Sequence, residues 1–376
     1  MVAAASVVVA VGTVTGTMSA LEDGRGADAA RPRATRATRA DVRPAPAPPP
    51  PASAAPSSAV PAPQVSAGAS GKPSPGPTGT RTRRAAPALP TRLYRHPGSQ
   101  VLDWVRAHPG DPRTEVIASR IADQPAAVWF TDHDPGTIAS RVRAVTAGAA
   151  AQDRVPVVVA YAIPGRDCGG ASEGGAPGLP AYGGWIDRFA AGLGSGEVIV
   201  VLEPDAIAQS DCLSAADRAA RFASLARAGR VLKAANPRAR VYYDAGHSGW
   251  RAPAEQAALL RQAGAASPAS SDGVFSNVSN FHRTADEIVY DRQVLDALGG
   301  PADLGAVIDT SRNGNGAPAD GAWCDPAGRK LGRTPTLRTG EARIDAYLWV
   351  KLPGESDGCA GAPGAFTPSY AYDLAR

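Results

Sequence analysis

VIVVLEPDAIAQSDC, Val198 to Cys212, opens on five aliphatic residues and passes directly into two carboxylates, Glu203 and Asp205, with a proline between them. A strand that is apolar at every position is buried on both faces, which places it inside a parallel sheet covered by helices. Pro204 has no amide for a ladder and fixes its own backbone, so the strand stops there and Asp205 is presented at its carboxyl-terminal rim. A lone Asp after a strand also caps helices, and on this stretch alone that is the plainer reading. The rest of the chain has to decide.

The same pattern recurs on both sides of it. AVWF around Trp129, VPVVVAYAI ending at Ile163, RVYYDAG ending at Gly246, GVFSNVSN ending at Asn280, LGAVIDTS ending at Ser311 and AYLWVK ending at Lys351 are strand-like; with the first stretch they make seven. Ala-rich runs with apolar residues at helical spacing, such as SAADRAARFASLARAGRVLKAAN, separate most of them. The alternation predicts an α/β fold with a parallel sheet and outer helices, and seven repeats favour a closed or nearly closed β/α barrel over an open sheet. Polar and aromatic residues gather past the carboxyl ends of the runs: Tyr161 and Asp167, Glu203 and Asp205, Asp244 and His247, Asn277 and Asn280, Asp309 and Arg312, Lys351, Glu355 and Asp357. In a barrel those ends share one face, where active sites form.

The first ninety-odd residues are built differently. Residues 31–92 are rich in Pro, Ala, Ser and Arg, with too little apolar surface to offset ordering, and are expected to be a disordered linker. Residues 1–30 form a leader whose uncharged run, Val2 to Ala20, suits a signal h-region; left uncleaved, it would tether the chain to a membrane. The globular unit is therefore expected over residues 93–376. The sequence pI of about 9.0 suggests a polyanion partner, but 11 of the 39 basic and only 4 of the 35 acidic residues lie at or before Arg92, leaving 28 against 31. The excess positive charge belongs to the tail, and the globular part is slightly acidic. No nucleic-acid partner is expected.

All four cysteines, Cys168, Cys212, Cys324 and Cys359, fall in the globular part without zinc-knuckle spacing, so two disulfides are expected in an exported chain, with three pairings open. No Gly-rich loop opens a helix after the first strand, G-x-S-x-G is missing, and His247 stands alone in its loop, so neither metal nor cofactor is expected. What remains at the mouth is carboxylates beside aromatics. Trp129, Trp250 and Trp323 with neighbouring Asp, Asn, Lys and His suit a ligand with apolar faces and hydroxylated edges, which describes a sugar.

YAIPGRDC (Tyr161 to Cys168), VLEPDAIA (Val201 to Ala208), YYDAGHSGW (Tyr242 to Trp250), FSNVSNF, IDTSRNGNG, WCDP and WVKLPGESDGC (Trp349 to Cys359) together resemble, in order and spacing, glycoside hydrolase family 6, the inverting cellulases. The resemblance runs from about Trp129 to the carboxyl terminus. It implies a distorted seven-stranded barrel that cleaves β-1,4-glucan with inversion. On its motifs, Asp205 matches the general acid, Asp167 the partner carboxylate that helps keep that acid protonated, Tyr161 a residue crowding the sugar at the cleavage point, and Asp357 the proposed base, a role that a water relay could also fill. Asp244, His247, Trp250, Lys351 and Glu355 match sugar-binding positions; Trp129 and Trp323 are expected to add stacking surfaces, and Asn277 and Asn280 either bind sugar or stabilise turns. The same matching pairs Cys168 with Cys212 and Cys324 with Cys359.

Exo-acting members of the family roof their cleft with two long loops, while endo-acting members leave it open. Here Glu173 to Tyr182 is short, as is the Thr334–Ala346 connection. The expectation is a secreted, monomeric endoglucanase, with an exo-acting cellobiohydrolase or a catalytically silent carbohydrate-binding protein as the alternatives, and with no obligatory protein partner.

Overall fold

The computed structural model describes residues 92–376. The leader and linker expected over residues 1–92 lie outside the described residues, apart from Arg92.

Seven strands follow one another around a single sheet in chain order: β1 (Val128–Phe130), β2 (Val157–Ala160), β3 (Val198–Leu202), β4 (Ala239–Asp244), β5 (Gly273–Ser276), β6 (Gly305–Asp309) and β7 (Ile344–Leu348). Every neighbouring pair is parallel. Eight α-helices accompany them: α1 (Gln100–Ala107), α2 (Thr114–Ile117), α3 (Ile138–Ala150), α4 (Leu179–Ala191), α5 (Ala215–Ala235), α6 (Pro253–Gln262), α7 (Thr284–Leu298) and α8 (Pro368–Ala375). None of the described helices is long and apolar enough to cross a membrane.

The aliphatic run of β3 shows why a two-sided apolar strand is needed. Val198, Val200 and Leu202 pack outward against Trp185, Phe189, Phe222 and Leu225 on α4 and α5, while Ile199 and Val201 point inward to Val159, Tyr242, Phe275, Val307 and Leu348. Strand residues alternate between two cores, so neither face can be polar. The ring is distorted at one seam. No ladder joins β1 to β7; there the Ala127 N–H donates to the Trp349 carbonyl at 2.9 Å, and the Trp129 indole N–H to the Val350 carbonyl at 2.7 Å.

Candidate active site

The turn after β3 answers how the strand ends. Glu203 and Asp205 both adopt left-handed backbone, with φ of 50° and 68°. The Glu203 side chain is wholly buried and folds back on the neighbouring strand, accepting the N–H groups of Ala162 and Ile163 at 2.9 Å each. It fixes the segment just past Tyr161. Burial pushes its carboxyl up to about 7, against the pull of those backbone donors. Asp205 faces the other way, onto the cleft.

Beneath Asp205 lies Asp244, at the end of β4 and 2 % exposed. Its Oδ2 accepts the N–H groups of Ile207 (3.1 Å) and Ala208 (2.9 Å), and its Oδ1 that of Gly246 (2.9 Å). Burial, then the charge of Asp244, then that of Asp167 raise the Asp205 carboxyl to about 8, while the Tyr161 hydroxyl beside it works in the opposite direction. The division of labour follows from the donors. Burial raises the Asp244 carboxyl as well, but its backbone N–H donors pull it back toward the charged form, so of this pair Asp205 keeps the proton.

Asp167 reaches the same cleft from the loop after β2, which passes through left-handed backbone at Asp167 (φ 56°) and Cys168 (φ 48°). Its Oδ2 accepts the Ser172 N–H at 2.7 Å. A disulfide joins Cys168 to Cys212 and so ties the loop bearing Asp167 to the segment that follows Asp205. Tyr161 borders the cleft with both acids, and burial, then the charges of Asp205 and Asp167, raise its hydroxyl; Trp129 meets its ring edge-on at 5.3 Å, and the Arg166 guanidinium lies 4.5 Å from its centre.

The far side of the cleft is organised by buried ions. Asp309, at the end of β6, accepts N–H groups from Ser279 (3.2 Å), Ser311 (2.9 Å) and Lys351 (3.0 Å), joining the loops after β5, β6 and β7. Asp357 is clamped: Oδ2 lies 2.7 Å from Arg312 and accepts the Asp325 N–H at 3.1 Å, and Oδ1 lies 3.4 Å from Lys351 Nζ. Asp325 in turn accepts the N–H groups of Asp357, Cys359 and Ala360 and the Ser356 hydroxyl, and the Cys324–Cys359 disulfide closes this unit.

Between these walls runs a cleft of about 1190 Å³, lined from the loops that follow all seven strands. Trp129, Tyr161, Asp167, Asp205, His247, Trp250, Asn280, Trp323, Lys351, Glu355 and Asp357 all border it. A family model for glycosyl hydrolases of family 6 matches residues 87–371. The chain belongs to family 6 of the glycosyl hydrolases. It is 52 % identical to "Endoglucanase 1" of Streptomyces sp. (strain KSM-9) over 77 % of this chain and 79 % of that relative, and 47 % identical to "Endoglucanase A" of Thermobispora bispora over 77 % and 63 % respectively. Among solved structures it resembles the endoglucanase Cel6 of Mycobacterium tuberculosis, in complex with methyl-cellobiosyl-4-deoxy-4-thio-β-D-cellobioside, at 39 % identity and a TM-score of 0.70, covering 77 % of this chain and 98 % of that one. Exoglucanases match at lower identity.

Two of the residues expected to bind sugar in this family 6 enzyme do not border the cleft. Asp244 is buried under Asp205, as described. Asn277, with φ of 63° and no exposure, gives its amide to the carbonyls of His282 and Asp309 and accepts the His282 N–H. Other cleft residues carried no signal in the sequence. His282 stacks on His247, ring centres 4.2 Å apart and 19° between planes, and His247 meets Trp250 at 5.2 Å. Burial and the neighbouring His282 lower His247 to about 3, so this pair is an uncharged platform at neutral pH. Gln100, on α1, donates to Glu355 at 3.3 Å and to the Gly364 carbonyl at 2.7 Å, and accepts the Phe366 N–H at 3.0 Å. Burial raises the Glu355 carboxyl to about 7, against the charges of Lys351 and Arg312.

Proposed function

We propose that residues 93–376 form a cellulase catalytic domain that hydrolyses internal β-1,4-glucosidic bonds with inversion, with Asp205 as the general acid. The reading is carried by one observation: the Asp205 carboxyl faces the cleft while the neighbouring Asp244 carboxyl is held by three backbone N–H donors, an arrangement in which burial and the Asp244 charge push Asp205 up to about 8. Such a group gives its proton to the departing glycosidic oxygen while water adds to the anomeric carbon from the opposite face. Asp167 supports the positive charge growing on the sugar, and Tyr161 presses on the ring. Asp357, with its oxygens engaged by Arg312, Lys351 and a backbone N–H, is suited to orienting the attacking water and passing its proton on.

Endo action is supported by the connection before β7. Thr336 pairs with Tyr347 through two backbone hydrogen bonds of 2.8 and 3.0 Å, and no residue of 334–346 borders the cleft. The relatives named endoglucanases agree with this reading. Two disulfides fit an oxidising, extracellular setting.

Proton NMR of a soluble cello-oligosaccharide during the first turnovers tests the chemistry: the α anomer forms first, and Asp205→Ala slows hydrolysis by about 10²-fold or more. First appearance of the β anomer, or an unimpaired Asp205→Ala enzyme, overturns it. Viscosity of soluble glucan should fall well before reducing ends accumulate; an exo-acting enzyme would release ends with little loss of viscosity.

A further inference from the structure

Helix α7 carries two acids one turn apart, Glu287 and Asp291, both without solvent exposure. Glu287 Oε1 accepts the Ser248 N–H at 2.9 Å, in the loop that presents His247 and Trp250 to the cleft. Asp291 Oδ2 accepts the Ser276 hydroxyl at 3.0 Å, at the end of β5. Each carboxyl then has one oxygen left, Glu287 Oε2 and Asp291 Oδ1, and each of these is buried with no partner. Residues four apart share a helix face, and two bare carboxylates cannot lie together in an apolar layer without a cation.

The surroundings supply no such cation. Asp286 stands beside them on α7 and faces His282, whose ring burial keeps uncharged. Tyr290, on the same helix, gives its hydroxyl to the Ala245 carbonyl at 2.8 Å, and Ser248 and Ser276 meet the pair from the β4 and β5 loops. Asp244 and Arg251 act on Tyr290 from the β4 side, but the Arg251 guanidinium is committed to the Ala208 carbonyl and to Asp211. What remains is the electrostatic coupling of the two carboxyls, each with a buried oxygen that a proton would satisfy.

We propose that Glu287 and Asp291 share one proton across their unpartnered oxygens, and that this acid pair positions the His247–Trp250 loop for the glucan. The two are positioning residues; neither borders the cleft. Loss of the proton would set two negative charges against each other, drive the carboxyls apart and release the Ser248 N–H, so substrate affinity falls as pH rises.

The inference rests on the glucan-binding reading of that loop, and binding can be read apart from hydrolysis in an Asp205→Ala background. Equilibrium binding of cellotetraose, followed by tryptophan fluorescence from pH 5 to 9, is compared between this parent and further variants. Glu287→Ala leaves the Ser248 N–H buried and alone, and weakens binding about tenfold at pH 6. Glu287→Gln keeps an oxygen for Ser248 and gives Asp291 an N–H, so it stays within about twofold of the parent at pH 6. Between pH 6 and 9 it loses about tenfold less affinity than the parent, the remaining change coming from groups that both share, such as Glu355 on the cleft; Asp291→Asn behaves in the same way. In the hydrolytically competent enzyme, Glu287→Ala raises KM and leaves kcat within about twofold. The proposal is overturned if the Gln and Asn variants lose affinity with pH as the parent does, or if Glu287→Ala binds like the parent. A parent that bound no cello-oligosaccharide at any pH would remove the glucan reading, and the role of the pair with it.

Discussion

Asp244→Asn separates the charge beneath Asp205 from the side chain that carries it. The Asp205 carboxyl stands at about 8 against an ordinary 3.8, with burial the first cause and the Asp244 charge the second. Removing the second should return about one to two units, worth ~1.4 kcal/mol each. The sign is set by which form works. A general acid acts while protonated, so activity holds below its folded value and is lost as pH rises through it. In Asp244→Asn that loss moves about one to two units toward acid. The structure also sets the stability cost. An amide oxygen in place of Oδ2 still accepts from Ile207 and Ala208, but an NH₂ in place of Oδ1 opposes the Gly246 N–H. One unmatched buried donor pair costs about 1–3 kcal/mol, or several degrees of Tm. The assay is the initial rate of soluble glucan hydrolysis against pH, with Tm measured on the same samples. A variant that melts lower while its alkaline limb stays in place, or moves upward, refutes the electrostatic account.

The fold itself should respond to pH. Glu203, Asp205, Glu287 and Glu355 have folded values between about 6 and 8. A carboxyl raised on folding contributes fully below its unfolded value near 4 and loses that contribution as pH rises to the folded one, so Tm should decline from pH 5 to 9; a flat or rising profile contradicts the burial of these acids. Replacing Cys168 and Cys212 together with Ser opens a loop of 44 residues and should cost about 4 kcal/mol on the chain-entropy estimate. Because that bridge joins the loops of Asp167 and Asp205, kcat should fall even at temperatures where the variant stays folded; unchanged kcat would show that the loops hold themselves. Trp323 is 59 % exposed at the cleft edge. Trp323→Ala should leave stability within about 0.5 kcal/mol while weakening binding of cello-oligosaccharides several-fold, read by calorimetry.

Which parts of this were legible in the sequence follows from how far each signal travels along the chain. The strands were readable because a run such as Val198 to Leu202 needs only its own composition to declare burial on both faces; each of the seven overlaps an expected run, though β4 opens one residue earlier, at Ala239, and β7 two earlier, at Ile344. The carboxyl-terminal placement of Asp167 and Asp205 followed from the same fact, and the pairing of the four cysteines followed from the resemblance. Asp244 and Glu203 were legible as acids at strand ends but not in what they do. Their partners are backbone amides of neighbouring loops, 36 to 41 positions away for Asp244 with Ala208 and Glu203 with Ala162. Nothing local separates a carboxyl that faces a substrate from one that faces a peptide N–H. His282, Gln100 and the Glu287–Asp291 pair were silent for the same reason, since helical spacing marks Glu287 and Asp291 as neighbours without saying which side is wet.

The backbone around the cleft carries a further cost. Asp167, Cys168, Glu203, Asp205, Asn277, Ser279 and Asp325 all lie in the left-handed region, where any residue but glycine is held at a disadvantage by its surroundings. Glycine at position 205 would sit there more easily than aspartate and would have no proton to give. If these residues act as proposed, a screen for heat tolerance alone would favour losing them, and endurance in this chain is raised safely only away from the turns that line its cleft.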